Sequence, residues 1–136
     1  MDRAFLDANV LFSVAYSESS GLARLWRLKN VELLTSGYAL DEAARNLDTA
    51  ERRSRLARLM IDVMLVPEPA DIPPGCGRLP DKDRPILAAA LASEATHLLT
   101  GDLTHFGRLY GKTVGGVCIL RTADYLESRY RRSRRR

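Results

Sequence analysis

97-HLLTGDLTHFG-107 opens as an apolar run, stops on Thr100-Gly101-Asp102, and passes into a helix-like stretch. "HLLT" reads as a buried strand. A carboxylate is costly to desolvate unless it is paired or binds a cation. Asp102 at the end of such a strand therefore asks whether other acids reach the same place.

Outward from this point, "RAFLD" reads as a strand ending at Asp7, "VELLT" as a second, "MLV" as a weak third and "VCIL" as the last. Helical spacing of apolar residues fills the intervals. "SSGLARLWRLKN" carries Leu22, Leu25 and Trp26 behind a serine cap, and "GYALDEAARNL" carries Leu40, Ala43, Ala44 and Leu47 on one face. "DTAERRSRLARLMIDVM" predicts a helix from a Thr49 cap, "DKDRPILAAALASEA" tolerates Pro85 in its first turn, and "TADYLESRY" closes the chain. Residues 67–80 hold five prolines and two glycines and read as a loop.

Strands alternate with helices, and no Asn-Gly hairpin signal separates them. This predicts an α/β fold, a three-layer α/β/α arrangement around a central, mostly parallel sheet. Residues 1–128 read as one domain and 129–136 as a basic tail.

The 136 residues, 46% apolar and 28% charged, suit one domain with a real core and exclude a disordered chain. No apolar run reaches the roughly 18 to 20 residues of a membrane span. The start "MDRAFLDANV" lacks a signal-peptide pattern, so a cytoplasmic protein is expected. Cys76 and Cys118 are isolated and fit neither a disulfide framework nor a paired metal-ligand spacing. Removing the six arginines of 129–136 from a net charge of +4 leaves a body at −2. Such a tail reads as a solvated, partly disordered terminus that adds sequence-independent attraction to nucleic-acid phosphates.

Ligands of open parallel sheets bind outside the carboxyl ends of the strands. Asp7 and Asp102 both fall at that edge, although a single strand-end acid is often just a helix cap. Asp83 lies within the apolar arc of Ile86, Leu87, Ala90 and Leu91, so it points inward at its helix N-terminus; Asp81 falls on the other side. Glu42 lies opposite its helix's apolar stripe, facing water or a cleft, with Asn46 one turn further. Periodicity alone favours water.

Acids converging at one sheet edge repel unless cations neutralise them. Carboxylates suit Mg²⁺ or Mn²⁺. The chemistry expected is metal-assisted phosphoryl hydrolysis, one ion lowering the pKa of the attacking water and a second stabilising the leaving oxygen.

"FLDANVLFS", "YALDEAARNL", "DKDRPILAAALASEATHLLTGDLTHFG" and "VCILRTADYL" together resemble the PIN domain, a Mg²⁺/Mn²⁺-dependent ribonuclease fold. The resemblance runs over nearly the whole chain in the family's order. It implies that Asp7, Glu42, Asp83 and Asp102 are the catalytic, metal-binding acids, which replaces the solvated reading of Glu42. Asn9 and Thr100 would support the site and its waters. It further implies RNA as substrate, a homodimer, and the toxin of a toxin–antitoxin pair as one role, with an antitoxin protein as partner. The resemblance assigns His105 no part in catalysis.

Other classes fit less well. A haloacid-dehalogenase phosphatase needs a second acid where Asn9 stands. A dinucleotide fold needs a glycine fingerprint after its first strand. A receiver domain needs a lysine where Arg121 stands. The remaining rival is a PIN-like module that binds RNA or protein without cutting.

Overall fold

The computed structural model describes residues 1–70, 83–102 and 106–134, with side chains to 132. Six strands form one sheet: β1 (Asp2–Leu6), β2 (Val31–Ser36), β3 (Val63–Val66), β4 (His97–Leu99), β5 (Thr113–Val114) and β6 (Val117–Leu120). Their order is β3-β2-β1-β4-β6-β5, and every pairing is parallel except β5 with β6. The helices are α1 (Ala8–Tyr16), α2 (Gly37–Asn46), α3 (Ala50–Leu59), α4 (Arg84–Ala92) and α5 (Thr122–Arg134). The fold is the expected α/β arrangement around a mostly parallel sheet.

The inner strands β1 and β2 begin with half-buried residues, Asp2, Arg3 and Glu32 among them, and become buried toward their carboxyl ends, where both faces are covered. Phe5, Leu6, Leu34, Leu98, Leu99 and Ile119 are all fully buried. Each such side chain is worth roughly 1.5–3 kcal/mol in burial. The chain steps outward from β1 to β2 to β3, then returns to the far side of β1 as β4. Right-handed crossovers place α1 to α3 on one face and α4 on the other. The winding therefore reverses between β1 and β4, where an open parallel sheet leaves a crevice at its carboxyl edge.

Several elements depart from the sequence reading. α1 was not foreseen as a helix: "ANVLFSVAY" buries Ala8, Val10, Leu11, Val14 and Ala15, and its outer face, Asn9, Phe12, Ser13 and Tyr16, is half aromatic, so no clean polar stripe marks its period. Residues Gly21–Arg27 form a 3₁₀ segment capped by Ser20. The helix starting after Thr49 ends at Leu59 and passes through a 3₁₀ turn, Met60–Asp62, into β3. A hairpin also exists, β5 to β6, where none was expected. Its turn is Gly115-Gly116, both at positive φ (55° and 87°), the conformation a tight two-residue turn needs. The Arg-rich segment continues α5 in helical form to Arg134. Most of the Pro-rich loop, Asp81 and His105 lie outside the described residues.

At the amino edge of the sheet, α5 is tied to β1. The Tyr125 hydroxyl donates to Asp2 at 2.7 Å, and Arg129 reaches Asp2 (3.2 Å) and the Lys29 carbonyl (2.8 Å). Burial acts to raise the Asp2 pKa, but the Tyr125 hydrogen bond and the charges of His97, Arg129 and Arg132 outweigh it and lower it overall.

Candidate active site

β1 ends at Leu6, and Asp7 follows as the N-cap of α1, its Oδ1 accepting from the Ala8 amide at 2.7 Å. β4 ends at Leu99, and the Asp7 amide donates to the Leu99 carbonyl at 3.0 Å, which locks the two strand ends together. Thr100 stands directly beneath. Its hydroxyl donates to Asp7 Oδ2 at 2.8 Å and accepts from the Asp102 amide at 3.0 Å. Asn9 bridges the same ends: its Nδ2 donates to Asp7 Oδ2 (3.4 Å) and Thr100 Oγ1 (3.3 Å), and its Oδ1 accepts from the Gly101 amide (2.8 Å). A Cβ at Gly101 would meet Asn9 Oδ1 at 3.4 Å, so a small residue suits this close approach.

Two helices deliver the other acids. α4 begins after Asp83, which is buried at its N-terminus yet makes no capping hydrogen bond to the helix. Pro85 follows in the first turn, and the buried stretch Ile86 to Ala90 seats the helix. α2 starts from Ser36, whose hydroxyl accepts from the Ala39 amide at 3.2 Å. Ala39 and Ala43 are its buried residues, which turns Glu42 and Asn46 toward the space above Asp7.

Asp7, Asn9, Glu42, Asn46, Asp83 and Asp102 line a single cleft of about 550 Å³. Burial raises the Asp7 pKa from 3.8 to about 6; the Thr100 and Ala8 hydrogen bonds act the other way, and the charges of Asp83 and Glu42 push it up further. Asp102 stands half-buried on the rim. Glu42 shows why periodicity alone misled: a side chain opposite a helix's apolar stripe can face a cleft instead of bulk water.

The fit of this site to a cation rests on its donors. They are carboxylate and amide oxygens, which suit a hard divalent ion and not a soft one. Among the described residues, no three acidic, histidine or cysteine side chains stand close enough to enclose an ion. Mg²⁺ does not require enclosure, since it is held by one or two carboxylates and keeps most of its waters. A cation would relieve the cost of the buried Asp7 charge.

Two cleft neighbours were not legible in the sequence. Phe12 lines the cleft from α1, where its apolar surroundings resemble ordinary core. Tyr38 opens α2, and its pKa is raised by burial and then by the charges of Glu42 and Asp83. The pattern of acids around it was its only signal.

A family model described as "PIN domain" matches residues 3–104. The chain belongs to the PIN domain family. No curated protein matches it. Among solved structures, it resembles VapBC2 from Rickettsia felis bound to a DNA fragment from the promoter, at 17% identity and a TM-score of 0.61 over 86% of this chain and 96% of that one. VapBC-1 from nontypeable Haemophilus influenzae aligns at 18% identity and TM-score 0.62, covering 89% and 98%. FitAB bound to an IR36 DNA fragment aligns at 15% and 0.56, covering 88% and 94%. At these identities the likeness shows the fold. The PIN domain is a nuclease family, and the acidic cleft lies at the switch point of this sheet. No helix among the described residues is long and apolar enough to cross a membrane.

Proposed function

We propose that the protein is a divalent-metal-dependent endoribonuclease acting on single-stranded RNA. The observation that carries this reading is that Asp7, Glu42, Asp83 and Asp102 line one cleft, although they come from four separate places in the sequence. Asp7, Asp83 and Asp102 would hold Mg²⁺ or Mn²⁺, with Glu42 completing the set. A bound cation would supply a more acidic attacking water and a counter-charge for the leaving oxygen. Thr100 and Asn9 hold the Asp7 carboxylate in one orientation, so little side-chain motion is needed at the moment of reaction. Glu42, on the α2 side of the cleft, would join the cation directly or through a water.

The physiological reading is a toxin held in check by an antitoxin protein. The VapBC and FitAB likenesses and the family support it, and a homodimer in the cytoplasm accords with it. Residues 1–128 would make the nuclease domain.

Cleavage of an end-labelled single-stranded RNA tests the reading, run with Mn²⁺, Mg²⁺ or EDTA and beside Asp7→Asn and Asp102→Asn. Metal-dependent cutting that both substitutions abolish supports it. Equal cutting by all three proteins identifies a contaminant. RNA binding at moderate salt without cutting would favour a non-catalytic PIN module instead.

A further inference from the structure

We propose that Phe12 and Tyr16 form a stacking track along α1 that carries single-stranded RNA into the acidic cleft, with Arg52 fixing the outer ring. The inference rests on the nuclease reading and names how that site would grip its substrate.

Phe12 lines the cleft beside Asp7, Asn9 and Glu42. Tyr16 lies one turn further, at the spacing that places side chains over one another on a helix. The two rings stand 5.4 Å apart, tilted by 33°. Tyr16 is 44% exposed at the end of a helix that is otherwise mostly buried, so it extends the cleft's apolar wall outward to solvent. Its ring is held in place. The Arg52 guanidinium lies 3.6 Å from the ring centroid, while Arg52 Nε donates to the Tyr16 carbonyl at 3.3 Å and Nη1 to Asp48 at 2.7 Å. An exposed aromatic ring fixed before a ligand arrives loses little freedom on binding.

Tyr16 also lines a second cleft, with Ser17, Thr49, Arg52 and Arg55. The rings thus join the acidic cleft to a second, polar cleft. Arg55, only 14% exposed, is held there by the Ala15 carbonyl at 2.7 Å and by Glu18 at 3.1 Å, so it steadies the wall of this cleft behind Tyr16. Stacking needs only a free base face, so this track suits unpaired bases and not a duplex.

The test is fluorescence anisotropy with a labelled single-stranded RNA in EDTA, repeated with the same strand carrying abasic sites. Wild type is compared with Tyr16→Ala, Tyr16→Phe and Phe12→Leu, each checked by thermal melting, and KM and kcat are measured in Mg²⁺. Tyr16→Ala and Phe12→Leu should each weaken binding about tenfold and raise KM with kcat retained. Tyr16→Phe should bind as wild type, and the abasic strand should not distinguish the proteins. Equal binding by wild type and all variants overturns the track and leaves the nuclease reading standing; it would return this face to a protein partner. A wild type that neither binds nor cuts RNA overturns both. If Phe12→Leu fails to fold, the exposed Tyr16 pair decides alone.

Discussion

Thr100 and Asp7 stand 93 residues apart in sequence and are joined by a 2.8 Å hydrogen bond from hydroxyl to carboxylate. The same hydroxyl accepts from the Asp102 amide, so one oxygen positions the acids of both central strand ends. Thr100→Val keeps the shape and removes both bonds together with the one that the hydroxyl accepts from Asn9. It should cost about 1–3 kcal/mol. Losing the donor to Asp7 also makes the charged carboxylate harder to bury, so the deficit should be larger at pH 8 than at pH 4. Urea denaturation at the two pH values checks this; an equal deficit would place the whole cost in the bonds from the Asp102 amide and Asn9.

Asp7 itself opposes folding at neutral pH when no cation is present. Its folded pKa, about 6, lies above the ordinary 3.8. A raised folded pKa gives stability that is complete below the unfolded value and lost as pH rises through the folded one. Metal-free wild type should therefore lose about 2 kcal/mol from this group between pH 4 and pH 7. Asp7→Asn should be flat across that window, more stable than wild type at pH 7.5, and inactive. Melting temperatures in EDTA from pH 4 to 8 would show the crossing.

The β5–β6 hairpin gives a contrast between adjacent glycines. A Cβ at Gly115 would lie 2.6 Å from Leu91 Cδ2, at a φ of +55°, whereas at Gly116 nothing stands within 4 Å. Gly116→Ala should cost about 1 kcal/mol for its backbone conformation alone. Gly115→Ala should cost about 1–3 kcal/mol more, because Leu91 on α4 must move. Denaturation midpoints would rank the two, and the reverse order would refute the contact.

Tyr125 anchors the closing helix through Asp2. Tyr125→Phe should destabilise by about 1–2 kcal/mol, as expected for a hydrogen bond to a charged group. The Asp2 pKa is lowered overall, so this contribution is present above the ordinary carboxylate range and fades as pH falls through it. The gap in melting temperature between variant and wild type should narrow from pH 7 to pH 3.

What the sequence disclosed follows from which residues have one face. Apolar β1, β2, β4 and β6 were plain because inner parallel strands admit nothing else, and Asp83 was placed inward by the arc of its own helix. α1 was hidden because its outer positions, Asn9, Phe12, Ser13 and Tyr16, mix polar with aromatic residues, so hydropathy does not follow the 3.6-residue rhythm that its burial does. β5 has two residues, too few for any alternation, and the paired glycines were its sole trace. Periodicity turned Glu42 away from the core but could not tell a cleft from open water; only the PIN-like order of motifs did. Phe12 carried no signal of its own, because an aromatic residue within an apolar run marks no site.

The pairing of β1 with β4 also bears on when the protein can act. Residues near 4–7 must wait for residues near 97–102, so this contact is among the most distant in the chain and closes late. A nascent chain still lacking β4 has no strand-end partner for Asp7, no Thr100 to orient it and no Asp102. During synthesis, the cleft would therefore be completed in one step, once β4 and the residues after it have emerged, and not build up gradually. A ribosome making this protein would meet the paired strand ends only after that point.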